Sequence, residues 1–158
     1  MATRGMIGVM HGDVCKAVYS HWDNYLEGTG RILFEHYDSA KANHLVSLGD
    51  ISSLRETIGE KHPFSSLDTD NISYEKYQEL YGEMTTFYGR DRGETNVDFK
   101  TFDSFKKLII AASGRGVEYV YIMKDGQWYY SPMPSSYFGC TPELRLITAE
   151  MFAEDAVA

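Results

Sequence analysis

Cysteine is nearly absent from this chain of 158 residues: Cys15 and Cys140 are the only two. Two thiols cannot build a disulfide framework or a thiolate zinc site, so a reducing cytosol is the expected setting. Proline occurs only four times, and no apolar run approaches the ~20 residues of a membrane span. Positive charge is also scarce, with 15 Lys and Arg against 23 Asp and Glu, a net charge of −8. Binding to nucleic-acid backbones rests on clustered cations, so direct nucleic-acid binding is not expected and a basic protein is the better partner. Near the N-terminus, Gly5, Gly8, His11 and Asp13 interrupt the apolar residues after Arg4, so no signal-peptide core forms. These absences predict a soluble protein without a membrane segment.

What is abundant is aromatic: 12 tyrosines and 8 phenylalanines argue for a folded chain rather than a disordered one. The length suits one domain spanning residues 1–158. Alternating apolar residues predict strands over Met6–Met10 and Val14–Trp22, joined at His11-Gly12-Asp13. From Gly30 the spacing turns helical through Ile32, Leu33, His36 and Tyr37. Asp38 or Ser39 then caps a second stripe through Leu45, Val46 and Leu48, which Gly49 ends. The stretch Asp50–Asn71 is polar and aperiodic and reads as a long surface loop.

Ser73 is placed to cap a helix carrying Tyr74, Tyr77 and Tyr81 on one face, and a short strand follows over Thr85–Tyr88. Thr101 or Asp103 begins a further helix whose apolar face is Phe105, Leu108, Ile109 and Ala112, closed by Gly114. Asp125-Gly126 between two aromatic runs is a strong hairpin signal. Leu144–Ile147 fits one more strand or the start of a terminal helix before the acidic tail Glu150–Asp155. Together these predict an α+β fold. Its sheet is mainly antiparallel, built from two hairpins plus one or two further strands, with three to four helices packed on one face.

The densest chemistry lies in Tyr88-Gly-Arg-Asp-Arg-Gly-Glu94, where a strand empties into a glycine-bracketed turn. Arg90 and Arg92 can present forked donors to an anion, with Tyr88, Asp91 and Glu94 completing a partner surface. Equally, either arginine can pair internally with Asp91, Glu94 or Asp50. A second candidate is His21 with Asp23, which share a face if they lie in a strand and then form an acid–base pair; the bland alternative is a hydrogen-bonded strand end. His11 and His36 add nearby nitrogens, but their spacing matches no metal motif, and no metal or cofactor is expected. Cys15 beside Lys16 is an activated thiol or, more simply, a buried inert one. The sequence holds no Walker loop, nucleophile elbow or dinucleotide fingerprint.

The segments Thr3-Arg4, His11-Gly12, Tyr19-Ser-His-Trp-Asp-Asn-Tyr25, Gly49-Asp-Ile-Ser-Ser-Leu54, Thr86-Phe-Tyr-Gly-Arg-Asp-Arg-Gly-Glu94 and Asp125-Gly-Gln-Trp-Tyr129 together resemble a group of small proteins carried by tailed bacteriophages and prophages. The resemblance spans nearly the whole chain and assigns no catalytic residue. Ser20 stands where that group has cysteine, and Asn24 and Arg55 where it has glycine, which bears on turn geometry. The resemblance implies an accessory protein of the host cytoplasm that occupies a host protein, to redirect it or disarm a defence. Two other roles stay open. One is a small enzyme acting on a phosphorylated or nucleotide ligand, with His21 and Asp23 as acid–base pair and Arg90 and Arg92 as anion clamp; the other is a virion or assembly component.

Overall fold

The computed structural model describes residues 2–68, 72–133 and 143–156, with only the backbone of 68 and 153–156. Cys140 and the loop's last residues, 69–71, lie outside them. The fold is α+β. Strands β1 (Gly5–His11) and β2 (Val14–Ser20) form the first hairpin, with His11 opposite Val14 across Gly12-Asp13. Strands β6 (Tyr119–Lys124) and β7 (Gln127–Pro132) form the second. Asp125 and Gly126 both take positive φ, 52° and 79°, the tight-turn geometry whose twist matches the flanking strands.

The sheet is not mainly antiparallel. It is mixed, with eight strands among the described residues, because the two hairpins join side by side through a parallel β1/β6 ladder running from Gly5 opposite Tyr119 to Met10 opposite Lys124. Three further short strands, β3 (Ile51–Ser53), β4 (Thr86–Phe87) and β5 (Lys100–Phe102), extend the β2 side. There the edge forks: β5 pairs antiparallel with Cys15–Ala17, while β3 runs parallel at Ser20 and carries β4 outside it. On the other side β8 (Arg145–Leu146) adds to β7, and a 3₁₀ segment follows over Ala149–Ala156.

Helices cover both faces of the sheet rather than one. Helices α1 (Arg31–His36) and α2 (Ser39–Ser47) pack Leu33, Leu45 and Val46 against Ile7, Val9, Val18, Tyr121 and Met123. On the reverse face, α4 (Phe105–Gly114) packs Leu108, Ile109 and Ala112 against Met6, Met10, Cys15, Ala17, Val120 and Ile122. Residues alternate faces along a strand, so a strand covered twice must be apolar at nearly every position. Val120–Met123 is such a run, all buried.

Helix starts follow the predicted chemistry closely. Asp38 accepts from Lys41 N, and Ser73 accepts from Lys76 N to open α3 (Tyr74–Tyr81). The cap of α4 is Ser104, accepting from Lys107 N, because Thr101 is committed to β5. Each such cap is worth ~1 kcal/mol. Gly49 does end α2, at φ +92°, a conformation that L side chains rarely adopt, and a Cβ there would lie 2.5 Å from Val97 O. The tyrosine stripe of α3 is only partly core: Tyr77 is buried and Tyr74 exposed.

Two expectations are corrected. Asp50–Asn71 is not a surface loop throughout, since it contains β3 and buries Ile51, Leu54, Ile58 and His62. Neither Asn24 nor Arg55 occupies a backbone position that calls for glycine, since positive φ falls on Asp23 (59°) instead. The fully buried hydroxyl of Ser20 has no hydrogen-bond partner among the described residues. A buried polar group left unsatisfied costs about 1–3 kcal/mol. Ser20→Cys is therefore expected to raise stability by ~1 kcal/mol, read as a higher urea midpoint with unchanged slope; a lower midpoint would show that the hydroxyl is satisfied in solution.

Candidate functional site

The turn after β4 splits into a buried half and an exposed half. Backbone bonds close it tightly: Asp91 N donates to Phe87 O, Gly93 N to Gly89 O and Glu94 N to Tyr88 O. Inside, the Asp91 carboxylate is fully buried. Its Oδ2 accepts from Phe87 N at 2.8 Å, and its Oδ1 accepts from His62 N at 3.1 Å and Arg90 Nε at 3.0 Å. Arg90 spends its remaining nitrogens on Gly59 O and Thr85 O, and its guanidinium lies 4.5 Å from the Phe87 ring centroid. Arg90 and Asp91 are thus an internal anchor, the structural alternative read from the sequence.

His62, read from the sequence only as part of the Asp50–Asn71 loop, completes that anchor. Its Nδ1 lies 2.8 Å from Glu60 O, an acceptor only, so Nδ1 carries a proton and Nε2 faces Thr86 Oγ1 at 3.3 Å. The ring stacks on Tyr81 at 5.3 Å. The one sequence signal is a His-Pro pair flanked by Ile58 and Phe64 in a stretch otherwise polar.

The other half faces solvent. Arg92 pairs with Glu94 at 3.2 Å, and both side chains are about half exposed, at 56% and 42%. The Arg92 guanidinium lies 4.9 Å from the Phe64 ring centroid, and Phe64 sits 6.0 Å from Tyr88. Beside them opens a hollow of ≈ 830 Å³ lined by Lys61, His62, Phe64, Leu67 and Arg92 among others. Leu67 at its rim is 93% exposed. Burial raises the Tyr88 hydroxyl above its ordinary pKa, opposed by a side-chain hydrogen bond with Ser52.

His21 and Asp23 do not pair. Strand β2 ends at Ser20, so the two-residue periodicity that would align them stops short. His21 Nδ1 instead shares a 2.8 Å hydrogen bond with Tyr19 OH, and its ring meets Trp22 nearly perpendicular at 4.6 Å. Burial and the nearby Arg4 charge hold His21 below the ordinary histidine pKa. Asp23 serves through its backbone, its carbonyl accepting from Thr29 N and Oγ1.

Among the described residues, no hydrogen bond, ion pair or ring contact joins His21 or Asp23 to Arg90 or Arg92. Tyr19 and Phe87 belong to opposite faces, which puts His21 and the Arg90 guanidinium on opposite sides of the sheet. Cys15 is fully buried, and desolvation pushes its thiol up to about 12, the reverse of activation. Lys16 points to the other face, over Phe99 at 5.5 Å.

Among the described residues there is no group of three or more His, Cys, Asp or Glu placed to hold a metal, and no helix long and apolar enough to cross a membrane. No family model, curated protein or solved structure matches the chain.

Proposed function

We propose that the chain is a phage-encoded accessory protein that binds a host protein, without catalysis, through the surface around Arg92, Glu94, Phe64 and Leu67. The observation that supports it is the division of the charged turn. A rigid buried base of Arg90, Asp91 and His62 holds an arginine against an aromatic ring beside an open hollow. Arginine and aromatic anchors on a preorganised support are what binding hot spots are made of, because little side-chain freedom remains to be lost on association. The net charge of −8 favours a basic host partner in the cytoplasm, such as a nucleic-acid-binding complex, whose encounter it steers.

The test is capture of host proteins from infected cells by the tagged wild type and by Arg92→Ala. One dominant basic partner is expected with the wild type and is lost with Arg92→Ala, while thermal stability changes by no more than ~0.5 kcal/mol, as for other exposed substitutions. Capture should also weaken as salt screens the charges. Equal capture by both proteins would move the surface elsewhere. Recovery of the chain in purified particles would replace this reading with that of a virion component.

A further inference from the structure

A second pair of arginines, Arg4 and Arg115, stands apart from the charged turn, brought together from the start of β1 and the end of α4. Arg115 lies with its guanidinium 4.2 Å from the Tyr19 ring centroid, and Arg4 Nη1 donates to Arg115 O over a long 3.4 Å. Tyr19 OH is bonded to His21 Nδ1 at 2.8 Å, so two guanidiniums, a phenol and an imidazole share one corner of the sheet. The counter-charge is incomplete. Asp50 faces this corner, but one of its oxygens accepts from Tyr19 N at 2.9 Å and the other stands 3.9 Å from Arg115 Nη2.

On an acidic chain, a corner where two arginines share one carboxylate, itself at the long end of ion-pair distance, holds more positive than negative charge among these groups. Arg4 is exposed and the Arg115 side chain is 37% exposed, which leaves donors facing solvent. Next to this corner, Trp22 packs edge-to-face with His21 and remains 44% exposed. An exposed indole beside an anion site is a stacking platform, and base–aromatic stacking is worth about 1–3 kcal/mol.

We propose that Arg4, Tyr19, His21 and Arg115 bind the phosphate of a nucleoside monophosphate whose base stacks on Trp22. Guanidinium forks match phosphate oxygens, and the tyrosine–histidine pair adds a further donor toward the same anion. The site is separate from the Arg92 surface and does not depend on it.

The experiment is calorimetric titration of the full chain with AMP, adenosine and inorganic phosphate, using wild type, Arg4→Gln, Arg115→Gln and Trp22→Leu. AMP is expected to bind the wild type, phosphate more weakly, and adenosine not measurably. Arg4→Gln and Arg115→Gln should each weaken AMP about tenfold, the loss of one charge-assisted contact. Trp22→Leu should weaken AMP while leaving phosphate unchanged. The proposal is overturned by no saturation with AMP at about 10 mM, by adenosine binding as tightly as AMP, or by undiminished binding in Arg4→Gln. That last variant alters an exposed side chain with one long hydrogen bond, so its fold is retained even if Arg115→Gln perturbs the end of α4.

Discussion

Asp91→Ala is expected to cost about 3–5 kcal/mol of stability, the range found when one partner of a buried ion pair is removed. The carboxylate is fully buried and gathers three elements at once: Phe87 of β4, His62 of the preceding segment, and Arg90 of the turn itself. Deleting it leaves two buried N–H groups without an acceptor and a largely buried guanidinium without its counter-ion. Urea unfolding of Asp91→Ala beside Arg92→Ala measures the contrast directly. Two arginines flank this aspartate in sequence, yet Arg92→Ala is expected to stay within ~0.5 kcal/mol of wild type. A loss below about 1 kcal/mol for Asp91→Ala would show that the anchor does not fix the turn.

Asn24→Ala is expected to cost about 2–4 kcal/mol, from buried carbonyls and a hydroxyl stripped of their partners. The Asn24 amide is fully buried, and its Nδ2 donates to Thr3 O, Ser20 O and Trp22 O at 3.0–3.1 Å. Its Oδ1 accepts from Thr29 Oγ1 at 2.9 Å, while its own carbonyl accepts from Tyr121 OH at 2.6 Å. This side chain therefore ties Thr3 ahead of β1, the end of β2 and the turn leading to α1 into one knot. Gly5 yields the room, since a Cβ there would lie 2.6 Å from Asn24 Cβ. Asn24→Asp keeps the shape but loses both N–H donors that those three carbonyls share, so it should fall nearly as far in a thermal melt. If Asn24→Asp melts with the wild type, the Nδ2 contacts carry little.

What was legible in the sequence was what local chemistry decides. The Asp125-Gly126 turn, the Asp38 and Ser73 caps and the Gly49 terminus each follow from a residue's own backbone preference. The β1/β6 pairing leaves no such signature, because turn residues announce antiparallel neighbours and nothing near Met6 points to Val120. Short buried pieces escaped for a related reason: Ile51, Leu54 and Ile58 lie three and four residues apart, a spacing without the two-residue alternation of a strand, so β3 left no strand signature and the segment reads as polar loop.

The geometry of the candidate site was half legible. The turn's charge density marked the place, but Arg90 and Arg92, two residues apart, divide between the interior and solvent according to which side of a tight turn each leaves. That choice depends on Phe87, Gly59 and Phe64, contributed from outside the turn. The His21–Asp23 pairing failed on a boundary, since one or two residues beyond a strand's end the alternation of faces no longer holds.

The parallel ladder between β1 and β6 also governs the order in which the chain can be made. Ribosomes deliver Gly5–His11 some hundred residues before Tyr119–Lys124, so for that interval the first hairpin carries an open edge of unpaired amides beside Ile7 and Val9. Bringing those distant segments together is a long-range closure, slower than either hairpin turn. Until it occurs, the nascent protein is most exposed to pairing with another copy of itself. Expression at lower temperature or with chaperones that hold β-rich chains should therefore raise the soluble yield more than any change to its surface.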